Sequence, residues 1–446
     1  DEQVRVRPTQ EALRHREGSL TYAQLDRRVS EVATALQERG VVPEVKVGVA
    51  MDRSVDLVIA LLAVMRAGGA WVAMEPNVPV QRLRQYMEDS HAEFMICDTA
   101  GRAIAEAIDA SFLMFDDLSS TKIGEFDRPD RDHTAYVLFT SGSTGRPKGV
   151  VISHGALAGQ CVSMADLGLV QPGYEQVFSV KTSYTFDNFI EELFLPLSTG
   201  KRAAILPAGE ELDPVLMAAS LRAMKVTEMS VTPTHLRMML DAEEVFPESL
   251  RNVYAGGEAL SRATYDALRQ KNVELWNLYG VTEMCVGQTG VRLTSDIAGE
   301  ILPIGIPYPG YGVQIVDSLG DPCAEGAEGE LLISGTGEAR GYLGLPAKTA
   351  IAYLPDATRT GGRTYASGDR VFVREGQIYY RGRADAQLQV RGVRIELGEI
   401  EHFLESHEGV ARAGVIAPKV ELGRTDALIA FVLLREGVEC SPTELR

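Results

Sequence analysis

The sequence predicts an α/β protein: a large N-terminal part of mixed and mostly parallel sheet, a β-rich, barrel-like stretch, and a small, incomplete α+β C-terminal part. Three observations carry this. Strand-length and helix-length apolar patterns alternate as far as about Pro303. Short strands between glycine-rich turns then take over. From Gly398 a helix–strand–strand pattern follows and breaks off at Arg446.

The elements follow in order. Residues 22–39 place Leu25, Val29, Val32, Ala33 and Leu36 on one helical stripe, with Thr21 as N-cap, Gln24 three residues on and Gly40 as C-cap. Residues 47–50 read as a buried strand, 57–65 as a buried helix and 70–74 as another strand. Strands are expected at 94–97, 136–139, 202–206, 228–231 and 252–254. Beyond Pro303 they are expected at 313–316, 329–334, 370–373, 378–381 and 388–390. The last segment reads as a helix at 399–406 and strands at 413–417 and 427–434. It ends at Arg446, in the middle of the helix start that Ser441-Pro-Thr-Glu444 spells. We read the chain as a piece of a longer polypeptide.

Composition narrows the function. At 446 residues, two or three domains are expected, and 45% hydrophobic content is enough for a large core. Acidic residues outnumber basic ones by 62 to 44, a formal net charge of −18. Such a chain is a poor general partner for nucleic acid or an anionic membrane, so an anionic ligand needs a dedicated pocket. Cys97, Cys161, Cys285, Cys323 and Cys440 are dispersed and form no CxxC pair. This points to a reducing, cytoplasmic setting and away from a disulfide framework or a structural zinc. Neither a signal peptide nor a membrane span is expected, because the longest apolar run, residues 57–65, is about half the required length.

The most informative stretch is Thr140-Ser-Gly-Ser-Thr-Gly-Arg-Pro-Lys-Gly149, directly after an apolar strand. Gly142, Gly145 and Gly149 free the backbone. Thr140, Ser141, Ser143, Thr144 and Lys148 offer donors and a positive charge, which together suit a polyphosphate. An ordinary Gly/Ser loop is usually a plain connection, but this string is too specific for that. Its spacing is not that of a Walker A loop. Gly335, Gly337 and Gly341 miss the dinucleotide fingerprint by one position, and no amphipathic helix follows them.

The loop resembles the phosphate-loop signature of the adenylate-forming superfamily, which includes acyl-CoA synthetases, luciferases and the adenylation domains of nonribosomal peptide synthetases. Further matches follow in the family's order. They are Leu20-Thr-Tyr-Ala-Gln-Leu25, Met65-Arg-Ala-Gly-Gly-Ala-Trp-Val-Ala73, Phe186-Asp187, Ala255-Gly-Gly-Glu-Ala259 and Asn277-Leu-Tyr-Gly-Val-Thr-Glu283. Next come Gly329-Glu-Leu-Leu-Ile333 with Ala339-Arg-Gly-Tyr342, Tyr365-Ala-Ser-Gly-Asp369, Gly382-Arg-Ala-Asp385, and Val390-Arg-Gly-Val-Arg-Ile-Glu-Leu-Gly-Glu-Ile400. The last is in the form typical of peptide synthetases. The resemblance covers nearly the whole chain and implies an adenylate-forming core over 1–384, a C-terminal subdomain over 385–446, and a hinge at Asp385.

That resemblance also implies roles. A carboxylate attacks the α-phosphorus of ATP, giving an acyl adenylate and pyrophosphate, so two anions must be brought together. The loop Thr140 to Lys148, including Gly142, Ser143, Thr144 and Gly145, would hold the outer phosphates. Glu283 would bind Mg²⁺ and Thr282 would reach the α-phosphate. Tyr279, Gly256, Gly257 and Glu258 would line the adenine, with Asn277 in the same motif. Asp369 would take the ribose hydroxyls, with Arg383 beside it and Tyr380 nearby. A second half-reaction would pass the acyl group to the phosphopantetheine thiol of a carrier domain, and an MbtH-like protein is a possible activator. Val281, Ala366 and Arg370 depart from the family pattern without removing a ligand. The family's tenth-motif lysine is not in this chain, so slow or absent adenylation with retained binding is expected.

Asp187 stands where amino-acid-activating members pair the substrate ammonium. The family's pocket positions read Asp187, Asn188, Glu191, Ser230, Val253, Ala255, Leu278, Val286 and Gly287, with Gly256 alongside. Glu191 is the unusual one, because a carboxylate among apolar residues needs a cation or donors. A basic substrate is expected: arginine-, capreomycidine-, ornithine- or lysine-like. The rival readings are an acyl- or aryl-CoA synthetase of the same fold, a non-catalytic nucleotide-binding module and, more distantly, a kinase.

Overall fold

The alternating apolar residues Val47 and Val49 lie in the strand Lys46–Ala50, inside a seven-stranded sheet. The computed structural model describes residues 1–446 apart from 143–145, 243–245, 295–296, 298, 357–360, 384–386, 391–392, 419–423, 426, 436–439 and 442–446. Across the sheet the order is Gly341–Tyr342, Lys148–Ser153, Thr134–Thr140, Ala70–Ala73, Lys46–Ala50, Phe94–Cys97 and Phe112–Met114. The last five strands run parallel, and Lys148–Ser153 pairs antiparallel with both of its neighbours. The glycine-rich loop is therefore the turn of a hairpin, between Thr134–Thr140 and Lys148–Ser153, rather than a strand-to-helix turn.

Local signals set the covering helices. Thr21 caps Tyr22–Gln37 through a reciprocal pair: Gln24 N donates to Thr21 Oγ1 (3.2 Å) and Thr21 N to Gln24 Oε1 (2.8 Å). The C-cap is Glu38 rather than Gly40, which takes a positive φ two residues later. Val55–Arg66 is apolar almost all round and packs beside Tyr22–Gln37 with Leu57 through Leu61 wholly buried. Ser54 Oγ accepts its Leu57 N–H at 3.1 Å.

The second sheet has fourteen strands. Its parallel half runs Glu11–His15, Arg202–Ile205, Val177–Val180, Glu228–Val231, Asn252–Ala255 and Glu274–Tyr279. The β-rich stretch continues it antiparallel through Thr289–Arg292, Pro303–Pro307, Gln377–Arg383, Arg363–Arg374, Gly329–Gly335 and Tyr311–Val316. This is the β-rich, barrel-like part that was expected; it is continuous with the parallel half, and no closed barrel forms among the described residues. The expected strand at 370–373 is the end of the longer Arg363–Arg374.

Near the C-terminus Gln387–Val390 pairs with Val393–Glu396. Helix Leu397–Glu405 packs on Val410–Ile416, which pairs with Ile429–Leu434. Glu399 of that helix forms an ion pair with Arg82 of helix Val80–Ser90. Among the described residues no helix is long and apolar enough to cross a membrane.

One glycine shows how tightly the first sheet is covered. Ala is favoured over Gly inside a helix by about 1 kcal/mol. Gly101 lies in helix Thr99–Ile108, yet a Cβ there would stand 1.7 Å from the Ala50 carbonyl oxygen. Gly101→Ala should therefore destabilise the chain, by about 1–3 kcal/mol. Urea unfolding measures it, and an unchanged midpoint would mean that helix and strand are not in such contact.

Candidate active site

Parallel strands end together, and in open α/β sheets ligands bind outside those carboxyl ends. Lys181 and Thr182 follow Val177–Val180, Thr232 follows Glu228–Val231, Gly256 and Gly257 follow Asn252–Ala255, and Gly280 follows Glu274–Tyr279. All of them line one cavity of about 870 Å³. Thr140 and Ser141, at the end of a strand of the other sheet, line it too.

The nucleotide-side residues fall into two groups. Asp369 accepts hydrogen bonds from Tyr279 OH (2.5 Å) and Arg383 Nη1 (2.8 Å), and all three line the cavity with Tyr380. Gly256, Gly257 and Glu258 line it as well. Glu258 accepts from the backbone N–H (2.9 Å) and hydroxyl (2.6 Å) of Thr234, at the start of helix Pro233–Asp241. Lys148 and Glu283 do not line the cavity. The wholly buried Glu283 accepts from Tyr342 OH at 2.9 Å, with Lys148 Nζ 3.4 Å away and lying over the Tyr342 ring. Gly142 is also outside the lining, in a turn so tight that a Cβ would stand 2.2 Å from the Arg146 carbonyl oxygen. Ser143, Thr144, Gly145 and Asp385 lie outside the described residues.

The substrate-side residues gather around helix Asn188–Thr199. Asp187 sits at its N-cap but does not cap it; instead it accepts from Thr282 Oγ1 at 2.6 Å. Asp187, Asn188, Glu191, Ser230, Leu278, Thr282, Val286 and Gly287 all line the cavity. Glu191 is 3% exposed and accepts a hydrogen bond from Ser230 Oγ, and it makes no ion pair among the described residues. Burial pushes its carboxyl up to about 7, the nearby Glu192 and Asp187 add to this, and Ser230 and Lys181 oppose it.

Three further expected residues do not line the cavity. Asn277 is buried and its Nδ2 donates to the Pro303 carbonyl at 2.7 Å, tying the parallel half of the sheet to its antiparallel half. Val253 and Ala255 alternate with Tyr254 along one strand and pack into a core behind the sheet, so Tyr254 lines the cavity in their place. Sequence reasoning also missed Lys181, Thr185, Thr232 and His235, which line the cavity. Their positions just after strand ends were the available signal. Lys181, 5% exposed, has its Nζ 3.4 Å from the buried Glu192, which also accepts from the N–H groups of Lys181 and Thr182.

The turn that carries Val286 is strained. Cys285 and Val286 have φ of 61° and 82°. For a β-branched residue this region costs about 1–3 kcal/mol and persists only where surroundings impose it.

Comparison with known proteins gives the family and the fold. The AMP-binding enzyme family model matches residues 1–343. Zwittermicin A synthase ZmaJ of Bacillus cereus is 34% identical over 98% of this chain and 86% of its own length. Tyrocidine synthase 3 of Brevibacillus parabrevis is 34% identical over 99% of this chain, which spans 7% of that protein. Among solved structures, holo-AB3403, a four-domain nonribosomal peptide synthetase bound to AMP and glycine, is 29% identical with a TM-score of 0.78, covering 98% of this chain and 32% of that one. NpsA-ThdA, an artificially fused adenylation–PCP di-domain from Klebsiella oxytoca, shares the fold with a TM-score of 0.88 at 23% identity, covering 100% of this chain and 88% of that one. The chain belongs to the AMP-binding enzyme family, as an ATP-dependent ligase of the adenylate-forming superfamily and of the adenylation-domain type found in nonribosomal peptide synthetases.

A second buried acid lies behind the cavity. Glu228 is fully buried and accepts from Tyr254 OH at 2.6 Å, and burial pushes it up to about 7 from 4.5. Between those values the folded chain holds a proton that the unfolded chain has released. The stability contributed by Glu228 is therefore complete below about pH 4.5 and is lost as pH rises towards about 7. Glu228→Gln should flatten the fall in stability across that range. Urea unfolding at about pH 5 and about pH 7.5 tests it, and an identical slope in both proteins would mean that Glu228 is ionised throughout.

Proposed function

We propose that this chain activates an α-amino acid with a basic side chain as its aminoacyl adenylate, using ATP and Mg²⁺, and that the acyl group is then passed to the phosphopantetheine thiol of a carrier domain. The observation that carries the reading is Glu191, a carboxylate in the cavity wall, 3% exposed, with a serine hydroxyl as its hydrogen-bond partner and no ion pair among the described residues. A buried carboxylate of this kind is stabilised most by a cation.

The other side chains fit the same chemistry. Asp187 would accept the substrate ammonium, and the Thr282 hydroxyl, 2.6 Å from Asp187, would join that end of the cavity to the phosphates. Asp369 would accept the ribose hydroxyls, with Tyr279 and Arg383 fixing its rotamer. Lys148 would turn from Glu283 to the outer phosphates and neutralise them as the carboxylate approaches. Mg²⁺ fits the donor set, since it is commonly bound by one or two carboxylates with phosphate oxygens completing its shell. Glu283 is the carboxylate available beside the loop. When bound, the ion would supply further neutralisation across the phosphates. A hinge at Asp385 and an MbtH-like partner belong to the same reading.

Glu191→Ala should weaken binding of the preferred basic amino acid at least about tenfold, since truncating one member of a buried charge pair costs roughly 2–5 kcal/mol. Neutral amino acids should be affected little. Calorimetric titration with arginine, ornithine, lysine and leucine measures this, and an unchanged profile defeats the basic assignment. Hydroxamate formation with amino, fatty and aryl acids separates this reading from a CoA synthetase.

A further inference from the structure

The cavity wall formed by Val286 and Gly287 is held by residues that do not touch the cavity. We propose that Gln160, Gln288 and Tyr311 are specificity-positioning residues: their hydrogen bonds clamp the left-handed turn at residues 285–287, so that the amino-acid profile is set from behind the pocket. This rests on reading the cavity as an amino-acid site.

The clamp has two jaws. Gln288 closes the turn on itself: its Oε1 accepts the Val281 N–H at 2.8 Å, its Nε2 donates to the Met284 carbonyl at 2.9 Å, and its own N–H donates to the Tyr279 carbonyl at 2.8 Å. Gln160, wholly buried on helix His154–Met164, donates Nε2 to the Gly287 carbonyl at 2.9 Å and accepts from the Tyr311 hydroxyl. That hydroxyl also lies 3.0 Å from the Met284 carbonyl. Both ends of each glutamine amide are used, so the network allows one arrangement of the turn.

Close packing leaves the turn no slack. A Cβ on Gly280 would stand 1.6 Å from the Val286 carbonyl oxygen, and one on Gly287 would stand 2.6 Å from Tyr308 OH. The Tyr308 ring is 1% exposed and forms the back of the wall. A Cβ on Gly337 would stand 1.9 Å from Tyr311 OH and 2.5 Å from the Met284 carbonyl oxygen. This accounts for one glycine of the run that resembles a dinucleotide fingerprint but opens no helix. A displacement of about 1 Å in a positioning wall is enough to change ligand fit substantially. Val286, held at φ 82°, would leave its position once the clamp opens.

Gln160→Met keeps the volume and removes both hydrogen bonds. In calorimetric titration of the whole 446-residue chain, the affinity for the preferred amino acid should fall about fivefold or more, the scale of coupling within one hydrogen-bond network. The ratio of preferred to next-best amino acid should narrow by a similar factor, with ATP affinity within about twofold. Tyr311→Phe removes one hydroxyl from a half-buried residue and should shift the ratio the same way by less. It decides the matter if Gln160→Met does not fold. Adding Val286→Gly should abolish the effect of Gln160→Met, because no side chain remains to be positioned. Equal losses for every amino acid and for ATP, or an unchanged ratio in the folded variants, overturn the proposal. A wild-type chain that binds no amino acid would instead sink the reading it rests on.

Discussion

A carboxylate taken out of water must be met by donors or a cation, and the cavity is organised around that requirement. Asp369, Asp187, Glu258 and Glu191 all face it. Asp369 has a tyrosine hydroxyl and a guanidinium, Asp187 a threonine hydroxyl, and Glu258 the N–H and hydroxyl at a helix start. Glu191 receives one serine hydroxyl. The first three pairings leave acceptor oxygens held in fixed directions, which suits hydroxyl or ammonium ligands. The fourth is one hydroxyl on the most deeply buried carboxyl of the four, whose ionisation burial opposes; in the proposed reading a cationic substrate side chain would offset that.

Much of this was legible because it is local. The Thr21–Gln24 capping box, the apolar helix Val55–Arg66 and the strands ending at the cavity follow from patterns within a few residues. The glycine-rich loop was legible by type of residue, though not that a strand rather than a helix follows its turn. The β-rich stretch was legible from its short strands and glycine turns, though these do not say which strands pair. The pairing of Thr289–Arg292 with Pro303–Pro307, and onward to Gln377–Arg383, joins it to the parallel half.

The misplaced residues have a common cause. Val253, Ala255 and Asn277 lie on strands, where neighbouring side chains point to opposite faces. Which face meets the cavity is fixed by the layers packed on each side, and these come from distant segments. Gln160 was invisible for the same reason: its partner Gly287 is 127 residues away. Lys181 and Glu192 are closer in sequence, but a lysine beside a strand is an ordinary surface residue until burial is known.

The single long sheet has a mechanical consequence. Ser230 and Asp369 belong to strands of one hydrogen-bonded slab, joined rung by rung through the strands between them. Their spacing is therefore fixed by backbone hydrogen bonds across the sheet rather than by side-chain packing. In the proposed reading, the wall that meets the amino-acid side chain and the acid that would meet the ribose are thus set by one continuous hydrogen-bonded frame.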